Sequence, residues 1–380
     1  MDPRKLRLGF LLTTGAIALA FVLPAAPQSP SLIARPTISE INGGAGLLFL
    51  LAAWFADQRA TGFGIAGALL AATASLMLLN DPTVAGSAQA GFWTIVIAAW
   101  LSAALGLVNL ASLRNLRRGP QQAVNLLVPL LFGATAFYLW EVAVRGFGVP
   151  PVLLPPPSAA AARFMNSLPI LAGDFTQTFI RGVLIGYTIG CGAGLLVAIL
   201  AHRYDFLSRG LLPLGNFFSA LPLVGVAPIM VMWFGFDWPS KAAVVVLVTF
   251  FPMLVNAIAG LSAAGDIERD LMRSYAASPR QSLTRLYLPA ALPFIFNALK
   301  INATLALIGA IVAEFFGTPT QGIGFRISTE AGRMAIDMVW AEIALAALAG
   351  MAFYGCVTLA ERVTTFWHPS YRTTRSARSF

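Results

Sequence analysis

Charge is scarce in this chain. Of its 380 residues only 11% are Asp, Glu, Lys or Arg, where a soluble globular domain carries roughly 25%. With 58% of the residues hydrophobic, the composition argues against a soluble fold. Histidine and cysteine are as rare. His202 and His368 are far apart, beside aromatic or basic residues, so no metal-ligand spacing exists and no metal is expected. Cys191 and Cys356 both fall in apolar stretches, where a thiol is a small packing residue. There is no Gly-x-Ser-x-Gly elbow. Lysine occurs only at 5, 241 and 300, never after a glycine, so the Gly-Lys pair that holds nucleotide phosphates is missing. No catalytic residue and no cofactor emerge; an intramembrane acid pair is not excluded, but nothing points to one.

What the chain has instead is length of apolar run. A helix needs about 20 apolar residues to cross roughly 30 Å of hydrocarbon. Such runs recur near Leu8 to Leu23, Ile41 to Phe55, Gly62 to Leu79, Ala90 to Leu107 and Ala123 to Val144. Five more follow, near Phe175 to Leu200, Leu211 to Phe234, Ala242 to Leu261, Ala290 to Ala313 and Met338 to Leu359. The expected fold is an all-α polytopic membrane protein with about 10 transmembrane helices, and the bilayer is its first partner.

The net charge of +9 raises the question of nucleic acid. The basic residues, however, concentrate in alternate loops. One set holds Arg4, Lys5, Arg7, Arg59, Arg114, Arg117, Arg118, Arg203, Arg209, Arg269, Arg273, Arg280, Arg285, Arg362, Arg372, Arg375 and Arg378. The other holds only Arg35, Arg145, Arg163, Lys241, Arg326 and Arg333. By the positive-inside rule the first set is cytoplasmic, which places both termini inside and removes the need for a nucleic-acid partner. A signal peptide ending near Ala25 and Ala26 is the alternative for the first run, but Pro27 is a poor residue after a cleavage site.

Arg114 to Pro120 forms a linker, so residues 1–118 are expected to be a four-helix extension of unreadable role. Residues 119–173 hold the next span and an outer loop that Pro150, Pro151 and Pro155 to Pro157 keep extended. Ser158 to Leu168 reads as a short helix in the interface or in solvent. The main core is 174–362, and 363–380 is a basic cytoplasmic tail.

Within the core Gly182, Gly186, Gly190 and Gly194 recur every fourth residue, one smooth helix face that another helix can approach closely. Polar residues inside apolar runs are costly and invite a functional reading. Asn256, Asn297, Lys300, Asn302 and Glu314 are the candidates for lining a pathway; the other reading is that they bond between helices or reach for the interface. Glu141 and Glu342, nearer span ends, are weaker candidates.

The stretch from Asp266 to Pro289 is the most informative. Asp266 is expected to cap a short helix with Ile267, Leu271 and Tyr275 along one face. Ser278 and Pro279 open a second. Two short amphipathic helices joined at Ala276 and Ala277 make a knob, which either lies on lipid headgroups or docks another protein.

Here the sequence resembles the permeases of ABC-type importers, whose cytoplasmic loop has the form E-A-A-x3-G-x9-I-x-L-P. Counted back from Pro289, the positions fall on Asp270, Leu271, Met272, Ala276, Leu286, Leu288 and Pro289. The spacing agrees; the letters depart, with Asp270 for Glu, Leu271 and Met272 for the alanines, and Ala276 for the usual Gly. The similarity runs from about Phe175 to Trp367. Leu221-Pro222, Ala227-Pro228, Trp233-Phe234-Gly235, Phe250-Phe251-Pro252 and Asn256 resemble the branch importing nitrate, sulfonates, taurine, thiamine pyrimidine precursors or riboflavin, and Glu314 with Gly317, then Gly322-Ile323-Gly324, resembles the outer end of the penultimate core helix and the Gly-rich loop after it.

The resemblance implies a six-helix core that works as a homodimer. It implies a cytoplasmic ABC ATPase subunit that hydrolyses ATP and docks at Asp270, Arg273, Tyr275, Ala276, Ala277, Ser278, Pro279 and Pro289, and an external solute-binding protein that delivers substrate. Two alternatives remain: a secondary carrier, for which internal repeats are lacking, and a membrane enzyme, for which catalytic side chains are lacking.

Overall fold

In hydrocarbon every backbone N–H and C=O must be satisfied within the span, so apolar runs of this length become helices. The computed structural model describes residues 3–26, 35–55, 58–112, 118–219, 222–317 and 321–366, and these contain helices and turns but no strand. The predicted tail beyond 366, His368, Leu221 and the linker residues Arg114 and Arg117 lie outside the described residues. Among the described residues nine helical stretches are long and apolar enough to cross a membrane.

The chain divides into two compact units, 1–162 and 163–380. In the first, α1 (Pro3–Val22), α2 (Pro36–Phe55), α3 (Gln58–Leu78), α4 (Ala90–Ser112) and α5 (Arg118–Gly146) are the spans. Phe10, Ile17, Phe49, Phe92 and Ile95 are buried among them. The α3 hydroxyl Ser75 Oγ meets Tyr138 Oη of α5 at 2.8 Å. At the end of α5, Arg145 donates to the Leu79 carbonyl at 2.8 Å. Glu141 accepts from Ser158 N at 2.9 Å and Ser158 Oγ at 2.7 Å, capping the start of α6 (Pro157–Asn166) from outside.

In the second unit α7 (Leu168–Phe175), a π-helical segment Thr176–Leu184 and α8 (Ile185–Arg203) form one continuous span. After it come α9 (Asp205–Ser219), α10 (Leu223–Phe234) and α11 (Trp238–Ser262). Next are α12 (Asp266–Ser274), α13 (Pro279–Ser282), a π-helical turn Leu283–Tyr287, α14 (Leu288–Glu314), α15 (Ile323–Gly332) and α16 (Ile336–Thr364).

The seventh run expected from sequence, Leu211 to Phe234, is not one helix. It is split between α9 and α10, with Pro222 extended (φ −68°, ψ 111°) as the residue before α10. Proline supplies no N–H to a continuing helix, so hydropathy alone cannot separate one crossing from two shorter pieces. This lowers the count of long spans from ten to nine.

The centre of the unit is α11, held between α8 and α14. Lipid tails are as apolar as leucine, so close backbone approach rather than water exclusion holds such helices together. Gly186, Gly190 and Gly194 all face α11: a Cβ on each would lie 2.7 Å from the Ala242 carbonyl, 2.8 Å from the Val246 carbonyl and 2.6 Å from the Phe250 carbonyl, respectively. Gly182 has more room, with Lys241 Cβ 3.6 Å from such an atom. Leu196 on α8, Met232 and Trp233 on α10 and Leu359 on α16 are exposed, which suits a hydrocarbon surround and not water.

Candidate functional site

Because α11 runs from Trp238 to the knob and α14 returns from it, the unit has a knob end and a remote end. At the knob end α12 begins after Gly265, which holds the capping position; Asp266 is the first helical residue rather than the cap. Asp266 and Glu268 in the first turn and Arg273 in the last complement the helix dipole. Arg269 donates to the Ser262 carbonyl at 2.8 Å, tying the knob to the end of α11.

The helix then stops in a Schellman turn. Ala277 N donates to Met272 O at 3.0 Å and Ala276 N to Arg273 O at 2.9 Å, with Ala276 left-handed at φ 48°. Here the sequence departs from the importer pattern, and the backbone explains why glycine is usual: only glycine adopts this conformation without a steric cost. Ser278 N donates to Gln281 Oε1 at 2.8 Å and Gln281 N donates to Ser278 Oγ at 3.3 Å, completing a capping box with Pro279 in the first turn. Pro289 lies in the first turn of α14.

No residue of α12 or α13 is buried. Ile267, Leu271 and Tyr275 are 84%, 55% and 78% exposed, an apolar stripe on an otherwise charged helix. Asp270 and Arg273, 3.3 Å apart, are exposed beside it.

The remote end is the opposite case. Three successive N–H groups opening α15 each meet a side chain from another segment. Gly322 N donates to Asp174 Oδ1 at 2.7 Å, Ile323 N to Thr178 Oγ1 at 2.8 Å and Gly324 N to Glu314 Oε2 at 2.7 Å. These are the donors a helix start leaves unpaired. Thr178 Oγ1 also donates to Glu314 Oε1 at 2.8 Å, and Arg326 Nε donates to Asp174 Oδ2 at 2.8 Å. Gly322 at φ 138° requires glycine, and a Cβ on Gly324 would lie 2.9 Å from Glu314 Cβ.

Close by, Lys241 is 2% exposed. Its ammonium donates to the Phe236 carbonyl at 2.5 Å, to Ser240 Oγ at 3.2 Å and to the Gly317 carbonyl. Gln177 Nε2 donates to Asp237 Oδ1 at 3.0 Å. The Trp238 N–H and this amide hold the Asp237 carboxyl below the usual carboxylate range. Gln177 and Thr178 belong to the π-helical segment, whose wider turn re-aims side chains relative to a regular helix. Glu342 of α16 is fully buried beside Asp174 and Arg326.

Of the five candidate pathway residues, Asn256 and Asn297 meet and the other three lie apart from them. Asn256 donates to the Pro252 carbonyl at 2.8 Å, and Asn297 reaches Asn256 at 3.5 Å from an exposed position on α14. Lys300 pairs with Glu361 of α16 at 2.9 Å, a partner the sequence reading did not foresee. Asn302 is buried and donates to the Thr249 carbonyl at 2.7 Å and Cys191 Sγ at 3.2 Å, joining α14 to α11 and α8. Glu314 belongs to the remote end. Asp174, Lys241 and Arg326 were also missed as site residues. Much of what they bind is backbone, which carries no letter in the sequence.

Residues 190–373 match the family model of the binding-protein-dependent transport system inner membrane component. The formylaminopyrimidine transport permease protein ThiX of Halalkalibacterium halodurans is 30% identical over 247 residues, 65% of this chain and 98% of that protein. The riboflavin transport system permease protein RibX of Chloroflexus aurantiacus is 29% identical over 261 residues, 68% of this chain and 95% of its own length. The taurine transport system permease protein TauC of Escherichia coli is 29% identical over 259 residues, 63% of this chain and 90% of its own length. With nine apolar spans and a relative matched over nearly its whole length, the chain belongs to the binding-protein-dependent transport inner membrane components: it is a multi-pass inner-membrane permease of the ABC importer type.

Proposed function

We propose that two copies of this chain form the passage of an ATP-driven importer. A separate ATPase subunit docks on the knob at the cytoplasmic face, and an external binding protein delivers a small solute of the nitrate, sulfonate, pyrimidine or riboflavin-like kind. The observation that carries this reading is the exposed stripe Ile267, Leu271 and Tyr275. A helix of nine residues with no buried side chain gains little from packing within its own chain. The Schellman turn that ends it and the capping box that opens α13 nevertheless fix the shape of the knob, as a docking element requires.

The homodimer is supported by a second uncovered stripe. On α14 Asn297, Ile301, Thr304 and Ile308 face outward at helical spacing, and Asn256 lies beside Asn297. A mixed polar and apolar face suits a passage between copies better than lipid. In this proposal residues 1–118 are an extension, 119–173 a first core helix with its outer loop, 174–362 the core with coupling loop 266–289, and 363–380 the tail.

The test is co-expression of the tagged chain with the ATPase encoded beside it, purification in mild detergent and an ATP hydrolysis assay. Binding and hydrolysis by the complex, both lost on deletion of residues 275–280 from a correctly inserted protein, are the expected result. A complex that survives the deletion intact would refute the docking role.

A further inference from the structure

Lys241 is a buried cation whose three ammonium protons are matched by three oxygens. Two of these are main-chain carbonyls on separate segments, Phe236 before α11 and Gly317 after α14. A lysine used this way holds backbone positions together and does not merely neutralise a charge. Packing at Gly317 is close as well: a Cβ there would lie 2.6 Å from the Phe236 ring, which would have to shift.

We propose that Lys241 is a positioning residue for transport. It clamps the turn between α10 and α11 to the end of α14. With the bonds of Asp174 and Glu314 to the start of α15, it makes the remote end of each copy one rigid block, so that the passage opens along α14 outside that block. The inference rests on the paired-copy permease reading given above.

Three observations support it. First, the ties cross long stretches of chain, from 178 to 314, from 174 to 322 and from 241 to 317, so all the segments of the remote end are closed into one set. Second, the groups are buried: Asp174 and Thr178 are 0% exposed, Lys241 and Glu314 2%. Drawing the segments apart would strand several buried donors and acceptors at once, and such groups are costly to leave unpaired. Third, among the described residues the α14 face bearing Ile301 and Ile308 carries no buried tie of this kind, only the exposed Asn297 contact to Asn256 at 3.5 Å, and it is 44% and 48% exposed at those two residues. A motion repeated in every cycle runs along the unbonded face.

The test uses the permease with its ATPase in lipid nanodiscs, carrying Cys191→Ser and Cys356→Ser so that introduced cysteines alone take spin labels. Labels at Met232 and Ser328 report on the block; a label at Ile308 in both copies reports on the passage. On trapping with ATP and vanadate, the 232 to 328 distance is expected to stay fixed while the 308 to 308 distance shifts. In Lys241→Met the 232 to 328 distribution is expected to widen. Hydrolysis without binding protein is expected to rise about fivefold or more, a typical size for a lost coupling between sites. That rise is not a result a purely structural role would give. A 232 to 328 distance that moves with nucleotide in the unsubstituted residues, or a distribution and hydrolysis rate unchanged by Lys241→Met, would overturn the proposal. Absence of any 308 to 308 signal would instead remove the paired-copy reading, while the 232 to 328 pair still decides whether the block is rigid.

Discussion

The two ends of the second unit use polar residues in contrary ways. At the remote end Asp174, Thr178, Lys241 and Glu314 are buried and bonded, several to main-chain groups of other segments. At the knob end Asp270 and Arg273 are exposed, and the buried side chains are none at all. A bonded polar group in a low-dielectric interior permits one geometry, because every alternative leaves something unpaired. An exposed helix with fixed caps and a free apolar stripe keeps its geometry for a partner. One end specifies the chain's own shape, and the other presents a surface.

The comparison breaks most visibly at Asp174. Asp174→Ala removes the acceptor of both Gly322 N and Arg326, leaving a half-buried guanidinium without its pair. A loss of about 3–5 kcal/mol is expected, the usual size when one member of a buried pair is deleted. Heating the detergent-solubilised protein and measuring the fraction still monodisperse by size-exclusion chromatography checks it. Asp270→Ala at the knob, where the ion pair is exposed on both sides, is expected to change the same curve by less than about 0.5 kcal/mol.

Next in size is the reciprocal experiment. Leu271→Asp puts a charge in the middle of the exposed stripe, at a side chain that is not part of the buried core. Folding is expected to be unchanged, and ATPase binding to weaken by about 2 kcal/mol or more, as for a central apolar anchor in an interface. Titration of the ATPase onto the immobilised permease reads this directly. Equal affinity for both forms would show that the stripe is not the docking face.

How much of this contrast was legible beforehand follows from what letters can encode. Span length and the four-residue glycine spacing are periodic in sequence, and both correspond to continuous helices and to close approach on α11. The knob is local: Ser278, Pro279 and the run to Pro289 act within a few residues, so their spacing carries the turn with it. The remote end is non-local. Glu314 gives no sign that Thr178 stands 136 residues earlier, and Lys241 looks like a loop charge because two of its acceptors are carbonyls. Pro213, Pro222 and Pro228 were the available warning that Leu211 to Phe234 is not one helix, but an apolar window averages over them.

The smallest expected effect sharpens the comparison at a single backbone angle. Ala276 holds φ 48° to close the Schellman turn, and a Cβ in the left-handed region costs roughly 1–2 kcal/mol. Ala276→Gly removes that cost but also frees the unfolded chain, which returns about 0.5–1 kcal/mol. The net gain is therefore between about 0 and 1.5 kcal/mol, small against the deletion of Asp174. Because no residue of α12 is buried, the gain stays within the knob and leaves the global melting curve nearly unchanged. Amide exchange of Ala277, whose N–H donates to Met272 across the turn, is the measurement that sees it. Slower exchange in Ala276→Gly is expected. Faster exchange would mean that the alanine methyl contributes more to the turn than its backbone strain removes.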